Sequence, residues 1–487
     1  MYKFFSKTIK KDPLFEVPPI ILFNSESRSL QEFTTIKNNQ VTIYSCGPTV
    51  YDFAHIGNLR AFVFADILKR TIEYNGYEVN HTMNFTDFGH LTDENNDSGE
   101  DKIMKGLRRE GLEISLKSMR TLSDRYISAF KDDAQALNII PPTQYSRASD
   151  YVKEQINLIK TLDEKGYIYK TTDGLYFDIA KFPTYGRLGK IDINTLKNGA
   201  RIETNIEKKH PADFAVWKKS KLGWDSPWGK GFPGWHIECS AMAFATLGKH
   251  IDIHTGGVDN APTHHNAEIA QCESATGKKF VNYWLHSEHI QIGGGKISKS
   301  EGNGLTLRDL IGQGFSGTDY RYWLLTSHYR TQVNFSTVAL EASKQAFVRL
   351  RQFVFKECTD ESGKINHDYR QKFVTAINND LDTPKAISYI WELLKNDSVS
   401  EADKRSTIIE MDAVLGLNLA VPIEEGLKTL GFIDNNDITA DISKLLEERE
   451  VARIARNWPE ADRLRDQLTV SGYSVEDTPE GPKLSKL

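Results

Sequence analysis

The sequence predicts an α/β fold: a parallel-sheet domain split by an insertion, then an α-helical bundle and a small C-terminal domain. Three features carry that reading. A strand, a helix and a second strand follow one another between residues 41 and 85. Strand–helix alternation breaks at Tyr167 and resumes at Gly234. After Asp309 helical periodicity dominates nearly to the end.

Residues 1–19, with Lys7, Lys10, Lys11 and Asp12, read as an extension without the apolar region of a signal peptide. Residues 20–166 hold the first half of the sheet domain. Val41-Thr42-Ile43-Tyr44 is a short buried strand, and Leu59, Phe62, Val63, Ile67, Leu68 and Ile72 share one face of a helix that Gly76 ends. Val79, His81, Met83 and Phe85 then alternate as a second strand, completing a βαβ unit. Residues 87–101 form a polar loop too long for a simple turn, and two amphipathic helices follow. Residues 167–228, punctuated by Gly174, Gly186, Gly189 and Gly199, read as an inserted set of short strands. The parent fold returns over 229–308, with helices near 235–247 and 264–274 and strands near 250–254 and 283–292. Residues 309–435 contain successive amphipathic helices, and residues 436–487 a charged helix pair followed by Tyr473, Val475 and Gly481-Pro482, which reads as a small appended domain.

Composition bounds the function. With 487 residues and a net charge of −5, the chain is not a broadly cationic nucleic-acid coat, although a local basic patch is compatible with that sum. The cysteines Cys46, Cys239, Cys272 and Cys358 are scattered and form no CxxC pair, which fits a reducing cytoplasm better than a disulfide scaffold. No apolar run approaches the roughly 20 residues that span a membrane. A cytoplasmic protein without a membrane partner is expected.

Chemistry concentrates in three places. The loop Cys46-Gly47-Pro48-Thr49-Val50-Tyr51-Asp52-Phe53-Ala54-His55-Ile56-Gly57-Asn58 joins the first strand to its helix, where unpaired N–H groups and the helix dipole favour phosphate. His55 can donate to a phosphoryl oxygen, and Gly57 lets the backbone approach a ligand. His264 and Glu268 stand four residues apart on one helical face, and Cys46 and Cys239 could complete a zinc-type ligand set. Cys272, His265 and His254 remain alternative ligands. Lys296-Ile297-Ser298-Lys299-Ser300, after three glycines, offers mobile ammonium groups to a polyphosphate. Each pattern alone also fits a capping loop, a helix-surface pair or a solvated loop; together they point to one nucleotide-using site.

These residues resemble a known family. Ala54-His55-Ile56-Gly57-Asn58 is similar to the HIGH signature of class I aminoacyl-tRNA synthetases, and Lys296-Ile297-Ser298-Lys299-Ser300 to their KMSKS signature. Cys46-Gly47-Pro48-Thr49-Val50-Tyr51-Asp52, Gly234-Trp235-His236-Ile237-Glu238-Cys239-Ser240-Ala241-Met242 and Asp252-Ile253-His254-Thr255-Gly256-Gly257-Val258-Asp259 narrow the resemblance to cysteinyl-tRNA synthetases. The resemblance implies a Rossmann-like catalytic domain, a stem-contact region and bundle over 309–435, and anticodon recognition by 436–487. It implies activation of cysteine by ATP, with Mg2+, to cysteinyl adenylate and pyrophosphate, then transfer to the terminal adenosine of tRNA(Cys). One zinc would be held by Cys46, Cys239, His264 and Glu268 and would bind the substrate thiolate. Cys46, Gly47, Thr86 and Trp235 would shape the cysteine pocket. His55, Gly57, Asn58 and Lys299 would contact ATP, with His55, Asn58, Lys296 and Lys299 as the catalytic groups, in an expected monomer.

The signatures here read HIGN and KISKS, and Asn266 and Ala267 stand where many relatives carry Glu and Asn. Two other readings compete. A cysteine:amino-sugar ligase shares the scaffold but lacks the C-terminal region, where Arg449, Arg453, Arg456, Arg463 and Arg465 could meet phosphates or pair with neighbouring glutamates. The other is a catalytically silent, zinc-containing RNA-binding protein.

Overall fold

The computed structural model describes residues 17–89, 91–93, 98–189, 207–296, 304–358, 360–423, 425–426, 432–433, 438–478 and 481–486. Its centre is a five-stranded, all-parallel sheet of β1 (Gln40–Ser45), β2 (Glu78–Phe85), β3 (Gln144–Arg147), β4 (Ile251–Gly257) and β5 (Val281–Ser287). The spatial order β5-β4-β1-β2-β3 reverses direction at β1, the switch point at which open α/β sheets bind ligands beyond their carboxyl ends. Val41 and Ile43 of β1 are wholly buried.

Helix α1 (Ile56–Tyr74) starts at a reciprocal cap: Asn58 N–H donates to His55 Nδ1 at 3.1 Å, and His55 N–H donates to Asn58 Oδ1 at 3.3 Å. Its residues Leu59, Phe62, Val63, Ile67, Leu68 and Ile72 fill the core beneath the sheet. Past the helix, Gly76 adopts φ +88°, which turns the chain into β2.

Helices α2 (Leu116–Ala136), α3 (Val152–Glu164), α4 (Trp235–Thr246) and α5 (Asn266–Thr276) complete the layers around this sheet. The polar loop expected over 87–101 contains two short antiparallel strands, Leu91–Asp93 and Ser98–Asp101. Asp101 then caps a short helix by accepting from the N–H groups of Ile103 and Met104. The inserted strands form a four-stranded antiparallel sheet in the order 231–233, 214–224, 174–177, 168–170. Its last strand, Gly231–Pro233, lies beyond residue 228, because Trp217 and Lys218 pair with Pro233 and Phe232. The core of this sheet, including Phe177, Val216 and Trp217, continues into Ile237 and Ala241 of α4 and Ala267 and Ala270 of α5. The insertion thereby braces the two helices that carry Cys239 and Glu268.

After α6 (Gly317–Leu325), helices α7 (Thr337–Gln352), α8 (His367–Asn378), α9 (Thr383–Leu394) and α10 (Glu401–Leu415) form the bundle, with Phe347, Phe373, Ile377, Leu393, Ile408 and Met411 inside. Helices α11 (Ala440–Ile454) and α12 (Trp458–Val470) and the hairpin Tyr473–Thr478/Gly481–Lys486 close a small core around Ile442, Leu446, Leu468 and Leu484. Arg449 and Arg453 bind Asp477 there, Arg463 binds Glu460 and Arg465 binds Asp462, so these arginines already have acidic partners. Among the described residues no helix is long and apolar enough to cross a membrane.

The parallel-sheet unit and the bundle meet at a buried ion cluster. Asp66 of α1 accepts from Arg70 Nε at 2.8 Å and from Arg321 of α6, while Ile140 N–H reaches its second oxygen at 2.8 Å. Arg321 also donates to Leu415 O at 2.7 Å and Arg70 to Ala413 O at 3.1 Å, placing two cations at the C-terminus of α10. Burial alone would raise the Asp66 pKa, but Arg70 and Arg321 hold it below the usual carboxylate range. Asp66→Asn should therefore cost about 3–5 kcal/mol of unfolding free energy near pH 7, measured by urea denaturation. The wild-type advantage is present above the unfolded carboxylate pKa of about 4 and should shrink as pH falls through the lower native value. An advantage that persists undiminished in acid would contradict this assignment.

Candidate functional site

The site lies beyond the carboxyl ends of β1 and β4. Cys46 is the first residue after β1, and its N–H donates to Thr255 O of β4 at 3.1 Å. At Gly47 a Cβ would sit 1.6 Å from Asn84 O, so only glycine lets this loop lie against β2. Gly47 N–H also donates to Asn84 Oδ1 at 2.9 Å. Thr86, at the end of β2, bridges to Thr49, with its N–H on Pro48 O at 3.2 Å and Val50 N–H on its own carbonyl at 3.0 Å. These bonds set the path of the loop that delivers Cys46.

Cys239 projects from α4. His264 comes from a single wide turn, Ala261–His265, that leads into α5, where Glu268 lies. The widened turn is held by Asn266, whose Nδ2 donates to Ala261 O at 3.0 Å and to Leu188 O of the insertion at 2.8 Å. The departure at residue 266 thus gives the turn an amide brace.

One donor atom each from Cys46, Cys239, His264 and Glu268 lie within 4.8 Å of one another. His264 Nε2 is 3.4 Å from Cys239 Sγ and 3.1 Å from Glu268 Oε1, and Cys46 Sγ is 3.9 Å from the same oxygen. Donors 2.0–2.3 Å from a tetrahedral zinc are separated by about 3.3–3.8 Å, so this set fits the ion in size and in donor chemistry. A second set, Cys46, His254, His265 and Glu268, shares two members with the first. In it His265 Nε2 lies 3.3 Å from Cys46 Sγ, and His254 Nε2 lies 3.0 Å from Glu268 Oε2. The first set has two sulfur donors, which a borderline-soft ion favours. Its histidine is also braced from behind, His264 Nδ1 being 2.9 Å from His236 Nδ1. Cys272 is wholly buried and belongs to neither set.

Charge explains why these side chains tolerate burial together. The hydrogen bond from Cys46 brings the Cys239 thiol down to about 6 against the effect of burial, with His264 adding to the shift. Burial and the neighbouring Cys239 push the Cys46 thiol well up, so the two sulfurs share one proton. Burial opposes charge on His264, yet Cys239 and Glu268 raise it to about 10; Glu268 is likewise lowered to about 2 by His254 and His264 despite burial. Protons here do the neutralising work that a divalent cation would take over on binding.

The remaining expected residues divide into groups. Trp235 is half-buried and stacks on His264 with centroids 4.4 Å apart, which brings it beside the ligand set. His55 spends Nδ1 on the helix cap, which fixes its proton on Nε2, and the exposed Asn58 completes that cap. Gly57 lies in the first turn of α1. The Lys296 backbone pairs with Gln291, whereas Lys299 lies outside the described residues. Sequence reasoning missed His236 and His286. The second reaches the site through His265, whose Nδ1 is 2.8 Å from His286 Nε2. Its signal was a histidine near the carboxyl end of a sheet strand.

Comparisons with family models and with known sequences agree on one family. A model described as "tRNA synthetases class I (C) catalytic domain" matches residues 32–345, and one described as "Cysteinyl-tRNA ligase anticodon binding domain" matches residues 435–481. The chain is 42% identical over 489 residues to a cysteine–tRNA ligase of Treponema denticola, covering 94% of this chain and 97% of that one. It is 42% identical over 475 residues to cysteine–tRNA ligase 1 of Burkholderia lata, covering 96% and 97%. Among solved structures, Mycobacterium tuberculosis methionyl-tRNA synthetase bound by methionyl-adenylate matches with TM-score 0.54 and 13% identity, over 82% of this chain and 95% of that one, a likeness of fold.

Metal titration separates the two ligand sets. In cobalt-loaded protein, Cys239→Ala should abolish about half of the thiolate-to-metal absorption and weaken metal affinity at least about tenfold, while Cys272→Ala leaves both unchanged. Loss of the metal in His265→Ala with full retention in Cys239→Ala would assign the second set instead.

Proposed function

This chain belongs to the cysteinyl-tRNA synthetase family of class I, and we propose that it performs both steps of that chemistry at the carboxyl edge of the parallel sheet. It is a cysteine–tRNA ligase, and its tRNA is met in part by the C-terminal unit. The reading rests on one observation above the others: Cys46, Cys239, His264 and Glu268 converge beside the loop whose other end is the His55-capped N-terminus of α1.

In the first step the α-carboxylate of cysteine attacks the α-phosphorus of ATP, and magnesium pyrophosphate leaves. A carboxylate is already a nucleophile, so no protein base is needed. The residues act by position and charge. His55 Nε2–H donates to a phosphoryl oxygen, helped by the N-terminus of α1. Gly57 allows close approach of the backbone, and Asn58 holds the His55 ring through the cap. Lys296 and Lys299 balance negative charge as pyrophosphate departs. In the second step a hydroxyl of the terminal adenosine of tRNA(Cys) attacks the carbonyl carbon of the adenylate, the bond to the phosphate breaks, and AMP leaves with the hydroxyl proton passing to its phosphate.

Selectivity is assigned to the ligand set with Trp235 and Thr86. Zinc held by Cys46, Cys239, His264 and Glu268 would supply a thiophilic Lewis acid that prefers a cysteine thiolate to a serine hydroxyl. A pocket reading size alone discriminates by only about 10–200-fold. Trp235 covers the imidazole of His264 and forms an apolar wall, and Thr86 fixes the loop at Cys46. Gly47 contributes close packing against β2, which places Cys46.

The deciding experiment is cysteine-dependent exchange of pyrophosphate into ATP, followed by transfer to tRNA(Cys) or to an amino-sugar. Exchange and tRNA charging are expected, with cysteine preferred to serine by more than about 10³ in kcat/KM, beyond a size-only pocket. His55→Ala should lower the exchange rate by about 10²–10³. Folded, metal-loaded protein that shows no exchange would leave a silent RNA-binding protein, and charging of the amino-sugar alone would leave the ligase reading.

A further inference from the structure

We propose that Arg60 is a positioning residue for adenylate formation, a single guanidinium that ties the strand ending at Lys296 to the helix that begins at His55. The proposal rests on the assignment of Lys296 and His55 to ATP made above. Arg60 lies on α1 and is 4% exposed. Its Nη1 donates to His289 O at 2.9 Å, and its Nη2 donates to His328 O at 3.1 Å and to Thr331 O at 2.6 Å. None of these acceptors is a carboxylate; all belong to the backbone of two separate segments.

Those segments build one small sheet. His289 immediately precedes the strand Ile290–Ile292, and Thr331 lies two residues before the parallel strand Val333–Phe335, with Ile290 opposite Val333 and Ile292 opposite Phe335. Ile290–Ile292 also pairs antiparallel with Gly295–Lys296, which places Lys296 opposite Gln291. The guanidinium therefore grips the base of the sheet from whose outer strand Lys296 emerges. Downstream, Ile56 N–H donates to Leu305 O at 2.8 Å, and His55 bridges to Thr306. Residues on both sides of the lysine-bearing segment are thus anchored to the first two turns of α1, at Arg60 and at Ile56.

The turn His328–Thr331 is also held from the bundle. Asp380 accepts from Tyr329 Oη at 2.7 Å and from Arg330 Nε at 2.7 Å, and its carbonyl accepts from His328 Nε2 at 2.9 Å. Asp380 and Leu381 adopt φ of +56° and +55°, a left-handed pair that these bonds and the Asp380 N–H bond to Ile21 O at 2.8 Å keep in place. One turn is held by Arg60 on the catalytic side and by Asp380 on the bundle side. A planar fork suits three carbonyls in two segments; a lysine ammonium keeps the charge but not that geometry.

Arg60→Lys tests this in the full-length, metal-loaded protein. The expected result is at least a tenfold rise in KM for ATP or fall in kcat of cysteine-dependent exchange, with KM for cysteine and bound metal within twofold of wild type. Amide hydrogen exchange of residues 290–292 should accelerate at least tenfold while the core of α1 stays protected. Asp380→Asn, which loosens the same turn from its other face, should shift both readouts in the same direction by less. Unchanged protection at 290–292, or equal losses for ATP and cysteine, would overturn the proposal. If wild-type protein shows no pyrophosphate exchange, the functional reading fails, while hydrogen exchange still decides whether Arg60 holds the strand.

Discussion

The parallel pairing of β1 with β4, continued by the Cys46 N–H bond to Thr255 O, is the constraint on which the rest depends. Because the strands run the same way, both carboxyl ends open on one edge, and each is followed by a segment that contributes to the site. The segment after β1 supplies Cys46 and then the capped start of α1. The segment after β4 supplies the wide turn with His264, then Glu268. An antiparallel arrangement would send one of these segments to the opposite edge. Gly47 completes the constraint, since the close approach of its loop to Asn84 O excludes any side chain there.

Electrostatics then settle how so many polar groups share a buried space. Glu268 has no exposed surface and Cys239 only 1%, and isolated charges at such positions would be costly. The cost is offset by imidazoles: His254 and His264 face the two oxygens of Glu268, while His236 and His286 support His264 and His265 from behind. The insertion adds a mechanical counterpart, because the Asn266 bond to Leu188 O fixes the wide turn from outside the sheet domain. A divalent ion entering such a set displaces protons rather than hydration from open carboxylates, so affinity for it must rise with pH until those protons are gone.

Much of this could be read from the sequence, and the unread part has physical causes. The βαβ unit was legible because period-2 and period-3.6 patterns meet at the loop 46–58, and the i, i+4 spacing of His264 and Glu268 marked one helical face. Spacing could not reveal that His264 sits in a wide turn rather than a regular helix, since both bring it near Glu268. Nor could it choose between His264 and His265, because each has a ring nitrogen within 4.0 Å of the same carboxylate oxygen. That the inserted sheet runs past residue 228 was not legible, because Gly231–Pro233 is short and ends in proline, a composition that reads as a turn. The antiparallel strand pair 91–93 and 98–101 was hidden by the same polar residues that signalled a loop.

Helix α1 shows the largest gap between pattern and role. Its apolar face predicts a helix packed under a sheet, yet Arg60, Asp66, Lys69 and Arg70 are buried too, each 5% exposed or less. Read by periodicity alone they belong to a solvated face. In the structure each has a partner in another segment: Arg60 in the small sheet, Asp66 in α6, Lys69 at Pro141 O, and Arg70 at the end of α10. Besides its apolar packing, the helix meets these neighbours through polar side chains that reach backbone carbonyls or, at Asp66, two guanidinium groups. Its first turn is tied to the chain around it, with Ile56 N–H on Leu305 O and Asn58 N–H on His55 Nδ1, and its position is fixed further by bonds made along the helix. The buried charges after Asn58 supply those bonds, which makes α1 the beam between the carboxyl edge of the parallel sheet, the strand of Lys296 and the helical bundle.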